Sequence, residues 1–170
     1  MTRIIGCWSP WRFSGRCIVL VASLTPAPVL LAQAPAPAAS ILPPARMKEI
    51  GDSLTPGASR TAQLAKGPGY TYAVTHRDTS GGVEVHDAWT DIFVIQTGSA
   101  AMLTGGVAEK AVEATPGEWR GGVIRGGTSA AVQPGDVVVI PAGTPHQMVL
   151  RAGERITYLA IKVAAPPAKP

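Results

Sequence analysis

Cysteine is nearly missing from this 170-residue chain: only Cys7 and Cys17 occur, both close to the N-terminus. The body of the chain therefore offers no thiolate nucleophile, no thiolate metal ligand and no disulfide. Histidine is almost as scarce, with His76, His86 and His146 alone. No apolar run is long enough to span a bilayer as a helix; the best, CIVLVASL, is followed by Pro26 and Pro28. A long segment of 3.6-residue periodicity is missing too, which argues against a helical bundle. Glycine-rich phosphate loops and Ser–His–Asp sets are absent, and no internal repeat stands out. These gaps remove several enzyme classes before any residue is assigned a task.

The N-terminal 40 residues are read apart from the rest. Arg3, Arg12 and Arg16 open it, CIVLVASL forms a short apolar centre, and TPAPVLLAQAPAPAAS follows. Basic, apolar and small-residue segments in that order predict a secretory signal peptide, cleaved after Ala32 or within AQAPAPAA. The protein is therefore expected to be periplasmic or secreted. Three basic and no acidic residues depart with the leader, leaving twelve against eleven, a net charge of +1 rather than +4. The basic pI of about 9.4 is therefore no argument for nucleic acid, nor for a membrane once the leader is gone. Residues 41–59 are expected to form a short arm, 60–163 a single domain, and 164–170, ending in AAPPAKP, a frayed tail.

Within 60–163 the apolar residues alternate or cluster in runs of four to eight. YTYAVTH, DIFVIQ, AAMLT, VVVIP, HQMVL and ITYLAIKV are examples, parted by Gly, Pro, Thr and Asp. About ten short strands at this spacing predict an all-β sandwich or barrel. In DIFVIQ, Asp91, Phe93 and Ile95 share one face, and Ile92 and Val94 the other. The arm holds the one helical candidate, residues 45–54, which Pro43 and Pro44 can open and which Gly51 is expected to disrupt.

Two segments carry the chemistry. In PGDVVVIPAGTPHQMVL, Gly135 permits the turn before a strand, Pro141 ends that strand, and Gly143 supplies a backbone angle that side chains resist. His146 then opens the returning strand. In GGVEVHDAWTDIFVIQTGSA, Glu84 and His86 stand two apart and so share a strand face. The chain re-enters a strand at Asp91 after the turn D-A-W-T, and Gly98 closes the segment. Two imidazoles and two carboxylates form a mixed nitrogen–oxygen donor set, suited to divalent first-row metals rather than thiophilic ones.

These two segments resemble the signature motifs of the cupin superfamily, whose members are small jelly-roll β-barrels. The second segment matches the pattern G-x5-P-x-G-x2-H at Gly135, Pro141, Gly143 and His146. In the first, His86 and Gly98 fall on family positions. Glu84 stands where the family places a histidine, and Asp91 where it places a glutamate. The resemblance spans about residues 60–163 and implies a single-domain jelly-roll barrel preceded by an irregular or helical arm. It also implies a divalent metal (Mn, Fe, Ni, Zn or Cu) held by Glu84, His86, Asp91 and His146. His146 is expected across the barrel from His86. Barrels of this size in the family pair through an outer sheet face, so a homodimer is expected.

The remaining polar residues leave alternatives open. His76 can line the cavity or stand exposed in the turn toward RDTSGG, the second being favoured. Trp89 can rim the pocket or anchor a dimer face. Trp119 and Arg125 lie in PGEWRGGVIRGG, a glycine-rich stretch able to act as a lid. Three functions suit a barrel with this donor set. One is a metal-dependent enzyme of oxygenase, isomerase or lyase type acting on a small acidic or phenolic molecule. The second is a small-molecule binding module without turnover, and the third a structural barrel with a vestigial metal site.

Overall fold

The computed structural model describes residues 39–54 and 60–166. The expected leader up to residue 38, and the tail from 167, lie outside the described residues. One helix, α1 (Pro44–Ser53), precedes thirteen strands among the described residues. They are β1 (Arg60–Gly67), β2 (Tyr70–Arg77), β3 (Glu84–His86), β4 (Trp89–Gly98), β5 (Ala100–Thr104), β6 (Val107–Glu109) and β7 (Val112–Thr115). Then follow β8 (Glu118–Arg120), β9 (Val123–Arg125), β10 (Thr128–Val132), β11 (Val137–Ile140), β12 (His146–Val149) and β13 (Ile156–Ala164). A five-stranded sheet runs β1-β2-β13-β4-β11, a six-stranded sheet runs β10-β5-β12-β3-β8-β7, and β6 with β9 forms a small ribbon. Every pairing is antiparallel. This is the all-β jelly-roll the alternation predicts.

Strand alternation decides what the barrel encloses. Along β4, Asp91, Phe93 and Ile95 are buried, while Ile92 and Val94 are only partly so. Phe93 and Ile95 join Met102, Ile140, Met148 and Tyr158 in a core drawn from both sheets. At about 25 cal/mol per Å² of apolar surface, each such side chain contributes roughly 1.5–3 kcal/mol to holding the sheets together. Gly98 ends β4 with φ +77°, and a Cβ there would stand 1.8 Å from the carbonyl oxygen of Arg155. Only glycine lets the chain turn at that point while β13 runs so close beside it.

The helix corrects one expectation. Gly51 does not disrupt α1; it lies inside the helix and is buried. A Cβ at this position would meet the Thr157 methyl at 2.7 Å. The missing side chain brings the helix down onto β13, so tertiary packing outweighs glycine's poor helix propensity. Pro44 starts the helix, where its missing N–H costs nothing. His76 is corrected as well. It stands in β2 rather than in an exposed turn, its side chain only 17% exposed. Its ring bonds to Thr157 Oγ1 at 2.8 Å and Asp78 Oδ1 at 3.1 Å, on the sheet face away from the cavity.

Candidate metal centre

One end of the barrel gathers titratable side chains from both sheets. The six-stranded sheet brings Glu84 and His86 on β3, and His146 on the neighbouring β12, where His146 pairs in register with Glu84. His146 therefore stands beside His86 in one sheet and not across the barrel from it. Strand spacing predicts which face a residue takes, but strand order decides its neighbours. The charged groups in contact with the two histidines from the five-stranded sheet are Asp91 on β4 and its register partner Lys162 on β13.

The histidines are held with one nitrogen outward and one inward. The Nδ1–H of His146 donates to the carbonyl of Thr144 at 3.0 Å, since a carbonyl can only accept. Nε2 is buried and without a hydrogen-bond partner among the described residues. His86 Nδ1 lies 2.6 Å from Glu118 Oε2, so Nε2 again points inward. Glu118 is fixed in turn by Arg120, whose Nη2 donates to it at 2.9 Å. A carbonyl or carboxylate on the outer nitrogen sets the tautomer and raises the basicity of the inner one, as around metal-bound imidazoles. The ring centroids are 5.2 Å apart. The hairpin that carries Pro141, Gly143 and His146 is tied to β3 by the Gly143 N–H, which donates to the His86 carbonyl at 2.8 Å. Gly143 adopts φ +77°, the conformation its place in the motif calls for.

One donor atom from each of Glu84, His86 and His146 lies within 4.8 Å of the others, a group able to hold a metal ion. Asp91 is not part of that trio, yet its Oδ2 is 3.3 Å from His86 Nε2 and 3.5 Å from His146 Nε2. At 3.5 Å the second contact is electrostatic rather than a hydrogen bond, which leaves the His146 nitrogen unsatisfied. Asp91 is no exposed cap of its strand; its side chain is 2% exposed. Such a carboxylate persists only with compensating charge. Lys162 supplies much of it: Nζ donates to Asp91 Oδ1 at 2.7 Å and sits 2.8 Å from His86 Nε2.

The charges shift one another. Burial would raise both carboxylates. For Glu84 this is outweighed by His86, Arg120, His146 and Arg77, which bring its pKa down to about 2. For Asp91 it is outweighed by His146, His86 and Lys162, which hold its carboxyl far below the usual range. Burial also disfavours a charged His86, but Asp91 and Glu84 prevail and push it up to about 9. Lys162 opposes that rise, because its positive charge lies close to the ring.

The cluster opens into a cavity of about 220 Å³ whose walls include Arg77, Phe93, Gln147, Met148, Tyr158 and Lys162. Lys162, Glu118 and Arg77 were not singled out from the sequence. For Lys162 a signal existed: in ITYLAIKV it shares a strand face with Tyr158 and Ala160, an odd place for a lysine that faces water. Glu118 gave none, because it lies in a three-residue strand within a glycine-rich stretch. That stretch is no free lid where Trp119 and Arg125 stand. Trp119 lies in β8 with its Nε1–H donating to Asp87 at 3.0 Å, and Arg125 closes β9 and pairs with Glu109 at 3.2 Å. Trp89 belongs to the start of β4, so the turn between β3 and β4 is shorter than the expected D-A-W-T.

A two-sheet antiparallel barrel with histidines at one end has clear relatives among solved structures. A Bacillus halodurans protein matches with a TM-score of 0.53 at 14% identity, over 81% of this chain and 86% of its own. The cupin domain of Schizosaccharomyces pombe Cnp3 matches with a TM-score of 0.50 at 13% identity, over 68% of this chain and 67% of its own. A Klebsiella pneumoniae protein with a double-stranded β-helix domain matches at 0.52 and 12%, over 77% and 95%. No family model matches the sequence, and no curated protein does. The fold is that of the cupins, the double-stranded β-helix barrels. At these identities the likeness speaks for the fold and not for any reaction.

Proposed function

We propose that this protein is an exported cupin-fold barrel that holds a divalent transition metal at one end and receives a small organic molecule beside it. His86 Nε2, His146 Nε2 and a Glu84 oxygen would bind the ion, with Asp91 within reach as a fourth donor. The observation that carries this reading is His146 Nε2, a buried ring nitrogen with no hydrogen bond, fixed in orientation by Thr144 and grouped with the donors of His86 and Glu84. Leaving such an atom unpaired costs roughly 1–3 kcal/mol, a cost that a bound cation removes. When bound, the metal supplies a Lewis acid that polarises a ligand oxygen or activates water or oxygen. The chain's own part is to fix both imidazoles and to keep the cluster enclosed.

The basic, apolar and small-residue order of the leader supports export. Val137 and Val139, about 60% exposed on the edge strand β11, support a homodimer formed over that face. A second reading, a binding barrel without metal or turnover, draws on Lys162, whose ammonium already serves Asp91 and His86 as a cation. One measurement separates the two. Protein purified without a polyhistidine tag and assayed for bound elements is expected to carry about one transition metal per chain, and His146→Ala to carry almost none while keeping its circular dichroism. A wild-type protein that takes up no metal from solution, or a His146→Ala variant with full content, would reject the metal reading.

A further inference from the structure

Arg77 is the last residue of β2, and its guanidinium forms part of the cavity wall with a side chain only 12% exposed. Nε donates to the Tyr158 hydroxyl at 2.9 Å. Nη2 comes no nearer than 3.7 Å to Glu84 Oε1, an ion pair without a hydrogen bond. Nη1 lies over Gly81, where a Cβ would stand 2.7 Å from it. Among the described residues, then, this nearly buried cation uses one of its five N–H donors. An arginine fixed through Nε, with the Nη edge left over, presents the fork that accepts two oxygens side by side. Tyr158 Oη accepts from Arg77, and its own proton has no acceptor among the described residues.

We propose that Arg77, with Tyr158 beside it, is the anchor for the carboxylate of a small organic acid, which makes that class the ligand of this cavity. The inference deepens the metal-and-ligand reading above and rests on it for the cavity's role. Three observations select this class. The volume of about 220 Å³ falls below the range of about 300–1,000 Å³ usual for drug-sized ligands, so the ligand is small. Glu84 touches both regions: one oxygen faces Arg77 and the other is 3.4 Å from His86 Nε2. A ligand whose carboxylate rests on Arg77 therefore has its remaining atoms beside the candidate metal donors. The same Glu84 charge selects a monoanion over a phosphate, because a second negative charge so close to a carboxylate is penalised. Phe93, Met148 and Ala160 give the rest of the ligand an apolar wall.

The test compares propanoate, its uncharged isostere propanamide, and inorganic phosphate by calorimetric titration into metal-loaded protein. Propanoate is expected to bind at least tenfold more tightly than either alternative. Arg77→Met should lose about ten- to a hundredfold for propanoate, the range for hydrogen bonds to a charged group. Arg77→Lys should restore only part, as a point charge without the fork. Metal content and thermal midpoint, measured on the same samples, show that the variants are folded and loaded. Equal binding of acid and amide, equal binding by Arg77→Met, or no binding of any acid to a fully loaded protein would each overturn the assignment and leave the metal centre untouched. A protein that binds propanoate through Arg77 yet takes up no metal would keep this assignment and reject the metal instead. Gly82 at the cavity wall supplies an independent check: a Cβ there meets no atom within 4 Å. Gly82→Phe should block propanoate without disturbing metal, and unchanged propanoate binding would place the acid elsewhere.

Discussion

Replacing Lys162 with methionine keeps the length of the side chain and removes a cation from the middle of the cluster. The ammonium donates to Asp91 at 2.7 Å and sits 2.8 Å from His86 Nε2, the nitrogen a metal would need. A divalent ion and an ammonium about 4 Å apart repel by roughly 8 kcal/mol at an effective dielectric of about 20, so they do not share the site. The ion must first turn the lysine out. Breaking a charge-assisted hydrogen bond costs about 1.5–3 kcal/mol, and the lower figure applies because Lys162 is 30% exposed and regains water. Relieved of that cost, Lys162→Met should bind metal about tenfold more tightly, at 1.4 kcal/mol per decade. Competition against a chromophoric chelator at fixed pH measures the difference. The metal-free variant should unfold at a lower temperature than wild type, since Asp91 loses its nearest cation, and added metal should close or reverse the gap. A folded variant with equal or weaker metal affinity would refute the displacement.

Two further outcomes follow from the same geometry. Glu118→Gln weakens the hold on His86 Nδ1, and metal affinity should fall about 10- to 100-fold in the same chelator assay, with the cavity and Arg77 unaffected. The pH dependence of the metal-free protein has a defined window. His86, raised from 6.5 to about 9, contributes its full stability below about pH 6.5 and loses it as pH rises through about 9. Glu84, lowered from 4.5 to about 2, and Asp91, also lowered, contribute fully above about pH 4.5 and lose it as pH falls. The thermal midpoint without metal should therefore be highest between about pH 4.5 and 6.5, whereas the gain from added metal should grow from pH 6.5 to 9 as Nε2 sheds its proton. A metal-free midpoint still climbing above pH 7 would contradict this.

Much of the barrel could be read from side-chain parity alone. Asp91, Phe93 and Ile95 alternate with less buried neighbours just as a strand with one buried face requires, and Glu84 and His86 share a face because they stand two apart. The hairpin before His146 was legible because Gly135, Pro141 and Gly143 each answer a backbone demand that few residues meet. What stayed hidden depends on pairing between distant strands. That His146 neighbours Glu84 in one sheet, and that Lys162 lies opposite Asp91 in the other, follows from strand order, which spacing along the chain does not encode. Arg77 and Glu118 escaped notice for the same reason, as their partners are supplied by β13 and β3. Gly51 misled because helix propensity is local, while its purpose is to let a helix approach Thr157.

The hydrogen bond from the Gly143 N–H to the His86 carbonyl joins two stretches of chain that are far apart in sequence, and the Asp91–Lys162 pair joins two more. Both links close long loops, and the entropy of closing them must be met before the contacts form, so the cluster depends on the slow, non-local pairings of an antiparallel barrel. An unfolded or half-folded chain offers isolated histidines with no common focus. An ion that needs all of the donors together consequently stays with the finished barrel and shifts the balance toward it, in proportion to the concentration of free ion around the protein.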